Sequence, residues 1–241
     1  MARFDRETGQ LVLRVVYDGP SRAGKTTNVR TLASLLPVSR RSTVRTPAET
    51  PGGSTLRYDL LDVDVGRVDS ARGEHPARCE VFSVPGQLSL ASQRVALLSA
   101  ADVAVLVLDA TPGAHRRNRV SLEALRAFRA SGLLEDVPLV LQANKQDVAG
   151  ALSGEALAAA LDIPARRVID AIAVRGEGVR ETFFAALAIA RDAARPSLEA
   201  DAVPVHEGSD PERTAGELEG RVGGAIDRVL RAIEDDELSA S

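Results

Sequence analysis

Residues 19–26 read Gly19-Pro-Ser-Arg-Ala-Gly24-Lys25-Thr26, which matches the pattern G-x-x-x-x-G-K-[ST]. An apolar, β-branched run at residues 11–17 precedes them, and a run with helical spacing at residues 26–36 follows. In a loop between a strand and a helix, glycines let backbone N–H groups converge on phosphate oxygens, and the helix N-terminus adds partial positive charge. These residues therefore predict a binding site for nucleotide phosphates.

The side chains of this phosphate loop suggest separate roles. The ammonium group of Lys25 can reach the β- and γ-phosphates, and the hydroxyl of Thr26 can bind Mg²⁺. Contacts with the nucleotide are expected from Gly19, Ser21, Arg22, Ala23, Gly24, Lys25, Thr26 and Thr27. The predicted cofactors are thus a nucleotide and Mg²⁺.

Strands alternate with helices along the rest of the chain, which predicts an α/β fold with a mostly parallel sheet flanked by helices. Six strands are expected, at residues 11–17, 56–65, 78–84, 103–109, 138–142 and 167–171. Gly66 and Gly73 mark a charged turn between the second and third strands. The predicted domain covers residues 1–194, followed by an acidic, Pro- and Gly-containing linker (195–216) and an amphipathic C-terminal helix and tail (217–241).

A second motif, Asn144-Lys145-Gln146-Asp147, comes directly after a predicted strand. The Asp147 carboxylate can accept hydrogen bonds from guanine N1–H and the N2 amine, whereas adenine would leave it unpaired. Lys145 can lay its stem over the base, and Asn144 can tie this loop to the phosphate loop. At the end of the last strand, the loop with Ala171 and Ile172 is placed to offer a backbone N–H to guanine O6. The predicted nucleotide is GTP or GDP.

Two further segments are expected to respond to the third phosphate. In Val84-Pro-Gly86-Gln87, the Gly86 N–H can point at the γ-phosphate and Gln87 can orient the attacking water. Residues 37–54 read as a long mobile loop, and Thr55 at its end could bring a hydroxyl to Mg²⁺. Other hydroxyls compete for this role, namely Thr43, Thr46, Thr50 and Ser54.

Taken together, these motifs resemble the bacterial MglA-type GTPases of gliding motility and cell polarity, a branch of the Ras superfamily. The resemblance covers about residues 8–193 and rests most specifically on the G-K-T-T-N run at residues 24–28 and on Val84-Pro-Gly86-Gln87. It implies a P-loop NTPase of the Ras-like G-domain fold, with Thr55 as the switch-one threonine and Gln87 as the water-positioning residue. It also implies a roadblock-domain partner of the MglB type that stimulates hydrolysis. Ser83 agrees with the hydroxyl residue that this branch has where most Ras-like proteins support Mg²⁺ through water with an Asp.

Two departures from the family pattern bear on hydrolysis. Ser21 stands where a Gly is usual beside the γ-phosphate, and Ser54 stands where the family has an arginine finger. An arginine finger contributes about 10³–10⁵ in rate, and Arg22, Arg45 or Arg57 could substitute for it. Two hypotheses therefore stay open. In one, the chain is a GTPase with Gln87, Lys25 and Thr55 as catalytic residues. In the other, it is a GTP-binding switch or scaffold with negligible hydrolysis that recruits partners.

Composition limits the other functional classes. The net charge of −4 gives no indication of a nucleic-acid partner. All but two of the 30 basic residues are Arg, and the two lysines, Lys25 and Lys145, both fall in the motifs above. The sequence shows no apolar run long enough for a membrane helix, no signal-peptide pattern and no lipidation motif. We therefore expect a cytoplasmic protein without a direct membrane anchor.

Overall fold

The computed structural model describes residues 3–5, 8–46, 58–70, 73–135, 137–199, 217–229 and 231. The strands are β1 (Arg3–Asp5), β2 (Gln10–Asp18), β3 (Asp59–Ser70), β4 (Gly73–Ser83), β5 (Val103–Asp109), β6 (Leu139–Asn144) and β7 (Arg167–Ala171). The helices are α1 (Lys25–Leu35), α2 (Ala91–Leu98), α3 (His115–Ala130), α4 (Gly154–Ala160), α5 (Val179–Glu199) and α6 (217–229).

The six predicted strands form one sheet in the order β3-β4-β2-β5-β6-β7. All neighbours pair in parallel except β3, which runs antiparallel to β4. The short β1 adds a seventh strand, paired antiparallel with β2. The prediction of a mostly parallel α/β sheet flanked by helices is confirmed. All seven residues of β5 are buried, as expected of a central parallel strand with helices on both faces.

The hairpin of β3 and β4 is longer than the sequence predicted. The charged segment read as a turn is continuous antiparallel ladder, and β3 reaches Ser70 before β4 begins at Gly73. The prediction of a turn at Gly66 was wrong, because this glycine (φ +80°) takes up a shift of register inside β3 instead. Beyond the bulge the hairpin is largely exposed, so charged side chains are compatible with a strand there; Arg67 and Glu74 form an ion pair across it at 2.7 Å.

Alternation along β2 divides the core between the two faces of the sheet. Leu13, Val15 and Tyr17 face a cluster that contains residues of α1 and α5. Val16 faces the opposite cluster, to which α2, α3, α4 and α6 contribute. The carboxyl ends of β2, β5 and β6 lie side by side between these layers, which is where ligands bind in open α/β sheets.

The linker was predicted to begin at residue 195, but helix α5 continues to Glu199. Residues 200–216 lie outside the described residues, and the predicted C-terminal helix is present at 217–229. Among the residues that the structure describes, no helix has the length and apolar character needed to cross a bilayer.

Candidate functional site

The phosphate loop joins β2 to α1 and packs too closely for side chains at two of its glycines. Gly19 has φ +135°, and a Cβ there would lie 2.1 Å from the carbonyl oxygen of Val107. Gly24 has φ +104°, and a Cβ there would lie 2.2 Å from Nδ2 of Asn144. Both positions therefore require glycine, for their backbone conformation and for the close approach.

Lys25 begins α1 and is only 6% exposed. Its ammonium group donates to the carbonyl oxygens of Gly19 and Pro20, at 2.8 and 2.6 Å. Burial lowers the pKa of Lys25 to about 8, an effect that Asp18 opposes and Arg94 reinforces. The loop thus holds this cation at its mouth with little contact with solvent, which strengthens its attraction for an anion.

A cavity of about 270 Å³ lies beside Lys25. Six of the phosphate-loop residues predicted to contact the nucleotide line it, together with the segment after β4: Ser21, Arg22, Gly24, Lys25, Thr26, Thr27, Val84, Pro85 and Gly86. Ala23 is fully buried beneath the loop. The cavity is rich in N–H groups and hydroxyls and has the positive end of α1 at its base, a combination suited to phosphate oxygens.

Oxygen ligands converge at one side of this cavity. The hydroxyl oxygens of Thr26 and Ser83 lie 3.4 Å apart, and Ser83 donates to the Asp59 carboxylate at 2.9 Å. Thr46 donates to the other oxygen of this carboxylate at 2.8 Å. Burial alone would raise the pKa of Asp59, but the hydrogen bonds from Thr26, Thr46 and Ser83 outweigh it and keep the pKa below its usual value. An ionised carboxylate beside two hydroxyls fits the preference of Mg²⁺ for oxygen.

Asp59 had no assigned role in the sequence reasoning. It directly opposes Ser83 in the antiparallel β3–β4 pair, so its carboxylate reaches the position that a carboxylate at residue 83 would serve. The sign in the sequence was an aspartate at the start of a strand that carries several other charged residues. Its meaning depends on the register between two strands, which the local pattern does not contain.

Asn144 connects three loops of the site. Its Nδ2 donates to the carbonyl oxygen of Ala23 at 2.8 Å, and its Oδ1 accepts from the N–H of Ala173 at 2.9 Å. The first bond reaches the phosphate loop, and the second reaches the loop after β7. Because Asn144 is 3% exposed and ends β6, it holds both loops against the sheet.

A second cavity, of about 240 Å³, opens between these loops. It is lined by Arg22, Gly24, Thr27, Asn144, Lys145, Asp147, Val148, Ile172, Ala173 and Val174. Since Arg22, Gly24 and Thr27 also line the first cavity, the two adjoin. Lys25 and Asp147, which the sequence assigned to opposite ends of one nucleotide, therefore line neighbouring parts of a continuous site.

Lys145 and the last loop take positions that the sequence did not specify. The Lys145 ammonium donates to Asp109, at the end of β5, at 2.6 Å, and this bond helps to hold the pKa of Asp109 below its usual value against the effect of burial. The N–H of Ile172 donates to the carbonyl oxygen of Glu177 at 3.0 Å, and the expectation that this loop offers a backbone N–H to guanine stays a prediction. Ala171 is buried, and its carbonyl oxygen accepts from the N–H of Gln146.

The segment after β4 lies directly on the phosphate loop. A Cβ on Gly86 would lie 2.4 Å from the Ser21 nitrogen and 2.6 Å from the Lys25 ammonium, so this position also requires glycine. Gln87 follows it with an exposed side chain and precedes the one-turn 3₁₀ helix Leu88–Leu90. Gly86, whose N–H is predicted to point at the γ-phosphate, thus lines the first cavity, and Gln87 follows it directly in the chain.

Several predicted residues of the long loop cannot be placed. Thr55, the predicted switch threonine, and its rivals Thr50 and Ser54 lie outside the described residues, as does Arg57. The described part of this loop is tied to β3, because residues 41 and 45 form bridges to residues 63 and 60. Of the other arginines considered as fingers, Arg45 pairs with Asp62, whereas Arg22 lines both cavities.

Comparison with known proteins identifies a relative of this chain. No protein-family model matches the sequence. The chain is 29% identical over 196 residues to the mutual gliding-motility protein MglA of Myxococcus xanthus (strain DK1622), and the match covers 77% of this chain and 93% of that protein.

Proposed function

Because the chain belongs to the MglA-like small GTPases, we propose that it binds GTP and GDP with Mg²⁺ as a molecular switch and hydrolyses GTP to GDP and phosphate. The relative is named for gliding motility, and we extend the proposal to a motility, polarity or similar signalling process in the cytoplasm. A roadblock-domain partner that stimulates hydrolysis is part of the same proposal.

The observation that carries the proposal is the pair of hydrogen bonds made by Asn144. They bring the phosphate loop and the segment Asn144-Lys145-Gln146-Asp147, which we propose reads guanine, to two adjoining cavities. A single guanine nucleotide could then place its phosphates on Lys25 and its base edge at Asp147. Discrimination against adenine would come from the unpaired carboxylate that adenine leaves behind.

The residues for Mg²⁺ would be Thr26, with Ser83 and Asp59 supporting the metal's waters, and Thr55 when GTP is bound. When bound, the ion would neutralise charge on the phosphate oxygens. Thr26 lies in the first turn of α1 and would present its hydroxyl directly, whereas Asp59 would add the negative charge that Ser83 lacks. Thr55 lies outside the described residues, so its part in the site stays a prediction.

For hydrolysis, we assign Gln87 to orient the attacking water, with Lys25 stabilising charge on the transferred phosphoryl group. Arg22 is the described arginine best placed to add a positive charge, because it lines both cavities next to Lys25. Its backbone adopts φ +65°, a conformation that turns the loop around the phosphate site. An arginine from the roadblock partner would serve the same purpose.

The second candidate function is a GTP-binding switch that recruits partners and hydrolyses negligibly. It is favoured by the close packing of Gly86 on Ser21, since Ser21 adds a side chain where the family has none. That side chain would compete for room with a water and with any incoming arginine.

Single-turnover GTP hydrolysis in Mg²⁺ buffer, with and without a roadblock-domain protein, separates the two candidates. We expect the chain to exceed its Gln87→Ala variant in rate, by the largest factor when the partner is present. Rates equal to that variant in both conditions would leave only the recruiting switch. Calorimetry that shows no uptake of GDP or GTP would reject both.

A further inference from the structure

The C-terminal helix α6 lies on the G domain beside the segment that packs on the phosphate loop. Val222 and Ala225 are almost completely buried among residues of α2 and α3, and Leu218 and Ile226 pack against the same cluster. At the far end, Arg228 donates to the Ser131 hydroxyl that follows α3, at 2.9 Å. The helix therefore has a defined seat on the domain.

This seat adjoins both segments that are expected to respond to the nucleotide. A cavity of about 380 Å³ separates α6 from the turn after Gln87, with Ser89, Ala91 and Ser92 on one side and Val222 and Ile226 on the other. Leu218 and Tyr58 both pack on Ala96 of α2. Tyr58 is the first residue described after the long loop that ends at Thr55.

Three glycines make α6 a weak helix. Each of Gly220, Gly223 and Gly224 lowers the equilibrium for helix formation about fivefold relative to alanine. Close packing does not require them, since an added Cβ would meet nothing within 4 Å at Gly220 or Gly223, and at Gly224 only an arginine nitrogen at 3.9 Å. A short helix of this composition depends on its docked face for stability.

A third phosphate would disturb the seat of α6. An oxygen that accepts from the Ser21 nitrogen and the Lys25 ammonium must lie about 3 Å from each. Gly86 borders that space, since a Cβ built on it would lie 2.4 Å from the Ser21 nitrogen and 2.6 Å from the Lys25 ammonium, so an oxygen there would press on the segment that contains Gly86. Arg94, buried in a bidentate ion pair with Asp18, anchors the middle of α2. Displacement of Gly86 would thus fall on residues 85–92, the part of the seat next to α6.

We propose that α6 is a detachable cover for the surface formed by α2 and the turn before it, docked with GDP and released with GTP. The inference rests on the proposed function, because it needs the nucleotide to distinguish two states. Docked α6 withholds this surface from partners, and GTP exposes it. GTP binding and undocking of α6 are thermodynamically linked. The factor by which GTP shifts the undocking equilibrium equals the factor by which undocking raises the affinity for GTP relative to GDP.

Hydrogen exchange on the full chain tests this, with GDP or a non-hydrolysable GTP analogue and Mg²⁺. We expect the amides of α6 to exchange at least about fivefold faster with the analogue than with GDP. Val222→Asp should make them exchange rapidly in both states, whereas the exposed Arg221→Gln, its control, should behave as the unchanged chain. In the GDP-bound state, amide hydrogen exchange in α6 should be slower by roughly a hundredfold at most in the combined Gly220→Ala, Gly223→Ala and Gly224→Ala variant.

Equal exchange of α6 in the two nucleotide states, in the unchanged chain and in the triple alanine variant, would overturn the proposal. Protection that survives Val222→Asp would also overturn it, because α6 would then not depend on this seat. If calorimetry shows no nucleotide uptake, the proposed function and the coupling fail together. The difference between Val222→Asp and Arg221→Gln without nucleotide would still show whether α6 docks, so the two failures are distinguishable.

Discussion

Lys25 has to remain charged in a place that disfavours charge, and its binding chemistry should therefore depend on pH. Burial lowers its pKa to about 8 in the free protein, and bound phosphates would raise it again. Above pH 8, nucleotide binding should take up a proton, and affinity should fall by up to roughly tenfold per pH unit. Calorimetry at pH 9 in two buffers of different ionisation enthalpy measures this uptake. At pH 7 it should vanish, and its absence at pH 9 would contradict the assignment.

Asp59 should matter for Mg²⁺ although the residue lies on the strand opposite Ser83. Asp59→Asn keeps the shape of the side chain and removes its charge, so we expect affinity for the metal to fall by about 10–100-fold. Release of a fluorescent GDP analogue should then be fast with Mg²⁺ and with EDTA alike. Asp69→Asn, at an exposed position of the same strand, is the control. A variant that still needs EDTA for fast release would count against this role.

These two residues show what local sequence can reveal about a site. Lys25 was predictable because its role follows from neighbours in the chain: a strand, a glycine-rich turn and a helix start. The role of Asp59 follows from its pairing with Ser83 across β3 and β4, and the spacing between them in sequence has no fixed meaning.

At the scale of elements, a buried amide network joins α1, β6 and α5. Asn28 and Gln142 exchange two hydrogen bonds, at 2.7 and 2.9 Å, and Gln142 also donates to Thr182 at 2.8 Å. All three side chains are fully buried. The network therefore fixes the start of α1, which carries the phosphate loop, relative to the strand that carries Asn144.

We expect Gln142→Leu to lower the free energy of unfolding by about 2 kcal/mol, because it leaves the Asn28 amide oxygen without its donor. Urea unfolding measures the loss, and a double-mutant cycle with Asn28→Val isolates the shared part. The two substitutions together should cost clearly less than the sum of their separate effects. Additive effects would show that the residues do not act as a unit.

Strands and helices could be predicted where the hydrophobic pattern of the sequence matches the burial in the structure. The run at residues 103–109 reads as a buried strand because both of its faces are apolar, and β5 is buried throughout. The β3–β4 hairpin was harder, because its outer part carries charges and glycines that suggest a turn. There the backbone pairing of two strands, with a bulge at Gly66, outweighs the local preference of the residues.

At the scale of the whole molecule, α5 covers one face of the sheet. Two adjacent phenylalanines of α5, one buried and one exposed, allow the contribution of this packing to stability to be measured. Phe183 is 1% exposed in the core cluster, whereas Phe184 is 46% exposed. Phe183→Ala should lower the free energy of unfolding by about 3–5 kcal/mol, and Phe184→Ala by less than about 1 kcal/mol. Urea denaturation compares them. Equal losses would mean that α5 does not pack as described.

The place of α6 is also a property of the whole molecule. Its apolar positions predict a helix, but they do not say which face of the domain the helix covers. That depends on the apolar surface left by α2 and α3, to which distant parts of the chain contribute. The composition of residues 195–216 likewise predicted a linker, although helix α5 continues as far as Glu199.

The location of the two lysine side chains has a practical consequence. One ammonium group sits beneath Gly86 and the other is held by Asp109, so both primary amines on side chains belong to the walls of the proposed ligand cavities. Acylating dyes, acetyl donors and amine cross-linkers would therefore find no lysine target away from those walls. Any such lysine modification would be competitive with the ligand, so the extent of acylation at each lysine would report how far these cavities are occupied.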